Sequence, residues 1–266
     1  MSAEPILFEI RDRIGVLTLN RPDKLNAISL QVHHELQEAC RQLQDDSAAR
    51  VVILTGAGRA FSAGADLGSF KERGETASRA PAAAAGDILE ERRVAGAGNR
   101  TSAALESLDQ VTIGAVNGLA IGGAVVFLAC LDIRLAAESA WFSIPEVDLD
   151  IPLTWNALPR LMRELGPART KELVMTCDRF SAGDALRWGF LNHVVPDAEL
   201  LPRARALAAK LLAKDPLSLA LTKSTTAALA DAMVPAGLTH SDREYLLIGR
   251  LARQAAARGG GDASAP

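Results

Sequence analysis

The chain has 266 residues, enough for one large α/β domain or a core with a smaller helical appendage, and too few for two unrelated full-size domains. A formal charge of -3 and an aromatic content of 4% exclude a basic surface for nucleic-acid phosphates or anionic lipid, and a row of base-stacking rings, which leaves a small-molecule partner. Cys40, Cys130 and Cys177 lack paired spacing and sit among apolar or helical residues, which predicts free thiols in a reducing cytoplasm.

Met1 to Glu9 lacks a basic region followed by an apolar run, and no stretch reaches the roughly 20 apolar residues of a membrane span; Val111 to Leu131 is interrupted by Asn117 and by glycines and reads as buried core. Ile6 to Arg11 and Gly15 to Asn20 alternate apolar and polar residues about Asp12-Arg13, the pattern of a hairpin packed on one face. Ser29 is placed to cap a helix running to about Gln44, with Val32, Leu36, Ala39, Cys40 and Leu43 at helical spacing. Val51 to Thr55 is then a buried strand stopped by Gly56. Lys71 to Arg100 is polar and alanine-rich without a sustained apolar stripe, and is expected to be a mobile lid or a partly disordered segment. A helix ending near Leu108, the strand Thr112 to Val116, a helix from about Gly122 to Cys130 and the strand Asp132 to Ala136 repeat the strand, helix, strand order, which calls for parallel sheet. Beyond Pro196 the pattern turns to helices at Leu200 to Ala213, Pro216 to Ala230 and about Leu238 to Ala256. Gly259 to Pro266 has nothing to bury and is expected to be a disordered end. No repeat of fixed length marks a regular solenoid.

Two segments carry chemistry. In Gly58 to Leu67, small residues follow a buried strand and Asp66 stands ready to cap the next helix. In Ala115 to Ala124, a second buried strand runs into the pair Gly122-Gly123 at the start of an apolar helix. Backbone N–H groups freed at such turns bind an oxygen that becomes negative during reaction, and they need little reorganisation to do so. Taken alone, each is an ordinary strand-to-helix turn. Gly118 to Gly123 lacks the G-x-G-x-x-G spacing of a dinucleotide site. His33, His34, His193 and His240 have neither a paired carboxylate nor metal-ligand spacing, and no Ser-His-Asp order stands out, so no metal site and no hydrolase triad is expected.

The segments Arg21 to Ala27, Ala60 to Leu67, Ala115 to Gly123, Cys130 to Arg134, Ile144 to Val147 and Gly189 to Val195, in this order and at these separations, resemble the enoyl-CoA hydratase/isomerase (crotonase) superfamily over roughly residues 6 to 230. The resemblance implies an α/β fold, a crotonase-like spiral of ββα units over residues 1–195. It further implies a helical region over 196–256 that serves trimer assembly, leaving 257–266 as a disordered tail. The implied partner is an acyl-CoA or enoyl-CoA thioester, with coenzyme A as part of the substrate and no permanently bound cofactor, handled by a cytoplasmic homotrimer or dimer of trimers. By position, the N–H groups of Ala65 and Gly123 form the implied oxyanion hole. Lys24, Ala27, Ala63, Ala65, Asp66, Leu67 and Gly122 line the implied coenzyme A groove. Lys24 and Arg59 are candidate phosphate contacts, although either taken singly reads as a solvated charge.

The departures from that family are specific. A typical hydratase has two glutamates, and the first position here is Val126, with no carboxylate anywhere from Gln110 to Leu131. Adding water needs a base for the water and an acid for the α-carbon, so conventional two-glutamate hydration is doubtful. Glu146 remains, between Pro145 and Val147, where burial is expected to raise its pKa toward neutrality. One carboxylate suffices to move a double bond, as in an enoyl-CoA isomerase; the competing reading is a noncatalytic acyl-CoA binding protein that retains the fold. Asp150 is read as a cap for the following helix or as a second acid/base group. Thr154-Trp155-Asn156 stands where the family has a glycine-rich turn, and Ser241 to Arg253 lacks the usual lysine and aromatic contacts to coenzyme A.

Overall fold

A computed structural model describes residues 4–46, 48–68, 85–245 and 247–249. The hairpin is present: β1 (Ile6–Arg11) pairs antiparallel with β2 (Ile14–Leu19), Ile6 opposite Leu19. Its turn is Asp12-Arg13, both at positive φ, the handedness that matches strand twist in a two-residue turn. Ser29 caps α1 (Leu30–Asp45) by accepting from the Val32 N–H at 3.3 Å, and the helix buries the apolar stripe its spacing predicted.

Strands β3 (Val51–Gly56), β5 (Val111–Val116), β7 (Ile133–Ala137) and β10 (His193–Val195) continue a six-stranded sheet in the order β1-β2-β3-β5-β7-β10, parallel from β2 onward. Both faces of β3 and β5 are buried, which explains why they read as continuous apolar runs rather than alternating ones. Each of three long strands is followed by a short one: β3 by β4 (Ala60–Ser62), β5 by β6 (Leu119–Ile121) and β7 by β8 (Trp141–Ser143). These pair in parallel as β4-β6-β8, and β9 (Phe180–Ser181) closes a second, four-stranded sheet on β8. A long strand, a short strand and a returning helix repeated in this way make the expected ββα spiral.

The helices between and after the strands are α2 (Ala85–Ala95), α3 (Ala97–Glu106), α4 (Gly123–Ala129), α5 (Ala157–Thr176), α6 (Ala182–Arg187), α7 (Leu200–Leu212) and α8 (Pro216–Met233). α2 corrects the expectation of an irregular segment as far as Arg100. It has almost no amphipathic stripe for periodicity to find, and it is held instead by pairs such as Glu90 with Arg93 and Arg92 with Glu244. The rest of the anticipated lid, 71–84, lies outside the described residues. α5 kinks at Gly166-Pro167, where the glycine leaves helical geometry at φ 71°.

α7 lies on β3, β5 and β7 with Leu200, Ala204 and Ala208 buried, whereas α8 buries no residue. The third C-terminal helix is described over 242–245 and 247–249; its expected end at Ala256 and the expected tail lie outside the described residues. No helix among the described residues is long and apolar enough to cross a membrane. Cys40, Cys130 and Cys177 are buried free thiols.

Candidate active site

The three site segments leave the C-terminal ends of three neighbouring parallel strands of the small sheet. After β4 the chain runs Ala63-Gly64-Ala65 beside 25–28: Ala63 N–H donates to Leu25 O at 2.8 Å, Ile28 N–H to Gly64 O at 2.8 Å and Asp66 N–H to Ile28 O at 3.0 Å. In this parallel bridge the residues flanking Ala65 make the bonds, so the N–H of Ala65 itself points away from Ile28. The buried Asn26 side chain donates to Ala57 O and Ala60 O, and the Arg21 guanidinium joins Ala27 O to the Asp66 carboxylate at 2.8 Å. The candidate groove residues Lys24, Ala27, Ala63, Ala65, Asp66 and Leu67 therefore sit on two adjoining segments, with Lys24 and Leu67 exposed. Arg59 is exposed as well.

After β6 comes Gly122, at φ 53° and ψ -116°, a conformation that favours glycine, and then Gly123, the first residue of α4. Gly64, at φ 79°, brings the two segments together. A Cβ placed on it would stand 2.4 Å from Ile121 O and 3.5 Å from Gly123 N. Among the described residues neither the Ala65 N–H nor the Gly123 N–H has a hydrogen-bond acceptor. Two unpaired donors on touching segments, one of them at a helix start, are suited to hold one oxygen.

After β8 the chain reaches Glu146, whose carbonyl accepts from Leu149 N–H at 3.1 Å and Ile151 N–H at 3.0 Å, fixing a one-turn 3-10 helix (Val147–Leu149) behind it. Its carboxylate packs against Gly122, where a Cβ would stand 2.4 Å from Oε1. Oε2 is buried and has no hydrogen-bond partner among the described residues. Burial pushes the Glu146 carboxyl up to about 7, offset in part by a hydrogen bond from its own backbone amide.

Val126 is fully buried on α4, whose seven residues are all buried and carry no ionisable side chain. Asp150 does not cap α5, which starts seven residues further on behind Asn156; it closes the 3-10 turn at φ 55° and is exposed. The capping expectation is therefore corrected: the irregular chain from 151 to 156 separates Asp150 from α5, and Asn156 takes the N-cap position.

Two further groups join the site without having been picked out as members of it. Trp155 lays its indole against the α-carbon of Gly123, and Asp242, buried at 7% exposure, accepts from the Asn156 N–H at 2.7 Å and from Asn99 Nδ2 at 2.8 Å. Burial raises the Asp242 carboxyl. Trp155 had a signal, as a bulky residue in place of a glycine-rich turn; Asp242 had none. A groove of about 370 Å³ lined by Leu43, Asp46, Val51, Val111, Leu212 and Pro216 opens at the N-terminal ends of β3 and β5, away from these residues.

The enoyl-CoA hydratase/isomerase family profile matches residues 9–246. The chain is 33% identical to crotonyl-CoA hydratase of Syntrophomonas wolfei over 225 residues, 84% of this chain and 82% of that one. It is 39% identical to carnitinyl-CoA dehydratase of Escherichia coli K12 over 208 residues, 78% and 74% of the two chains. The fold is similar to the crystal structure of a monofunctional enoyl-CoA isomerase from M. smegmatis, with a TM-score of 0.71, 29% identity and coverage of 86% of this chain and 95% of that one.

Proposed function

Because the chain belongs to the enoyl-CoA hydratase/isomerase family, we propose that it is an acyl-CoA-processing enzyme that stabilises a thioester enolate at Ala65 and Gly123 and moves one proton with Glu146. The observation that carries this reading is the Glu146 carboxylate, buried and without a hydrogen-bond partner at Oε2 among the described residues, packed against the residue that precedes the Gly123 N–H. An enoyl-CoA bound with its carbonyl oxygen between the two N–H groups loses a proton from C2 to the ionised Glu146. The C–H electron pair passes into the C2–C1 bond and the negative charge to the oxygen; the protonated Glu146 returns the proton at C4, and the 3,4 double bond becomes a 2,3 one. Losing one such oxyanion contact typically costs about 3 to 4 kcal/mol of transition-state stabilisation. With a pKa near 7, Glu146 is close to half ionised at neutral pH and serves in both roles.

Lys24, Ala27, Ala63, Asp66, Leu67 and Gly122 are the proposed coenzyme A and pantetheine contacts, and the proposed assembly is a cytoplasmic homotrimer or dimer of trimers. The second reading, hydration by Glu146 acting as both base and acid, is supported by the names of the curated relatives. Val126 weighs against it, since it leaves no second carboxylate on α4. The test is turnover of 2-enoyl and 3-enoyl thioesters with mass spectrometry of the product. Isomerised product that disappears in Glu146→Gln supports the proposal; a hydrated product supports the second reading; tight acyl-CoA binding without any turnover leaves a binding protein.

A further inference from the structure

Trp155 and Asn156 are consecutive non-glycine residues at positive φ, 67° and 56°. Such a turn persists only where its surroundings over-determine it. Here Asp242 accepts from the Asn156 N–H, Asn99 Nδ2 donates to Asn156 Oδ1 at 2.9 Å, and the buried Arg160 donates to Asn156 O at 2.9 Å. The consequence is an indole turned inward, with 8% of Trp155 exposed.

The ring is wedged between the starts of α3 and α4. A Cβ on Gly123 would stand 2.0 Å from Cζ3 of its six-membered ring, and one on Gly98 2.1 Å from Nε1 on the other side. Phe127 stacks on it at 5.3 Å and 25°, and His33 meets it edge-on at 4.9 Å. A rigid ring held on several sides does not swing aside to admit a ligand. An oxygen bound by the Gly123 N–H lies about 3 Å from that nitrogen, and the α-carbon next to the same nitrogen is the one the indole touches. The acyl group that begins at this oxygen therefore starts close to the indole.

Resting on the thioester reading above, we infer that Trp155 is a specificity-determining residue that forms the end wall of the acyl pocket and restricts the site to short acyl groups. One methylene that fails to fit an apolar pocket costs a ligand roughly tenfold or more.

Calorimetric titration with coenzyme A, butyryl-CoA and decanoyl-CoA, saturated thioesters that cannot react by double-bond chemistry, tests this. The wild-type chain should bind butyryl-CoA about tenfold or more tighter than decanoyl-CoA. Trp155→Ala should abolish or invert that ratio while leaving coenzyme A affinity unchanged, and Trp155→Phe, which keeps an aromatic wedge, should fall between and guards against loss of fold in the alanine variant. An unchanged ratio in both variants, or a wild type that prefers decanoyl-CoA, overturns the inference and leaves the proposed function standing. A folded wild type that binds neither coenzyme A nor either thioester overturns both.

Discussion

The Glu146 carboxylate and the α-carbon of Gly122 are in contact, so close that a methyl group on Gly122 would stand 2.4 Å from Oε1. Gly122→Ala must move the carboxylate and also relax φ 53°, a conformation that costs a non-glycine residue of order 1 to 3 kcal/mol. Turnover of the variant should fall at least tenfold while thermal melting shows a folded chain destabilised by about that energy. Wild-type turnover in Gly122→Ala would separate Glu146 from the chemistry.

Glu146 also sets a pH dependence. Its carboxyl is raised from 4.5 to about 7 by burial, and the base must be ionised, so activity should climb with pH through about 7. For stability the sign is opposite. The folded state favours the protonated acid, an advantage fully present below 4.5 and lost as pH rises through 7. Glu146→Gln should therefore be inactive yet more stable than wild type above pH 7, by up to about 3 kcal/mol at 1.36 kcal/mol per pKa unit. Denaturant titrations at pH 5 and pH 8 check this, and a variant less stable at pH 8 contradicts it.

His33 works in the other direction. Burial, with smaller contributions from Arg100 and His34, holds its imidazole down from 6.5 to about 3, and its Nδ1 lies 2.9 Å from the Thr101 hydroxyl. A depressed pKa means stability is present above 6.5 and lost as pH falls toward 3, at about 1.4 kcal/mol per pH unit. Replacing it by Phe should flatten the acid limb of the stability curve; an unaltered limb would assign acid unfolding to other groups.

Glu106 neutralises two arginines at once: Arg160, at 2% exposure, at 2.5 Å and Arg163 at 2.8 Å. Glu106 itself is 28% exposed, so removing it leaves the buried Arg160 charge uncompensated at a cost toward the low end of the roughly 3 to 5 kcal/mol of a fully buried pair. Glu106→Ala should lower the urea midpoint accordingly. Because Arg160 also holds the Asn156 carbonyl, selectivity among acyl groups should change along with it.

On α8, Leu217, Leu221, Leu229 and Met233 are exposed, on a helix none of whose residues is fully buried within the chain. Large apolar side chains gathered in the open on one helix mark an association surface. Light scattering should give a trimer or a multiple of it, and Leu221→Lys with Leu229→Lys should shift the mass toward the monomer. A monomeric wild type refutes the assembly.

Much of this was written in the chain. Short apolar runs such as Val51 to Leu54 and the stripe of α1 announce the large sheet and its covering helix because hydrophobic pattern reports burial directly. The glycines at 64, 122 and 123 marked the two turns by being small where a backbone must be approached. What the linear order could not carry is the second sheet. Strands of two or three residues have no period, yet β4, β6 and β8, side by side, bring residues 65, 123 and 146 to one place. Nor could it carry the inward turn of Trp155, which depends on Asp242 and Asn99, contacts made across 86 and 57 residues of chain to Asn156. Sequence alone determined which residues were suited to the chemistry; their convergence, and the burial that lifts Glu146, exist only once non-local strands pair and exclude water.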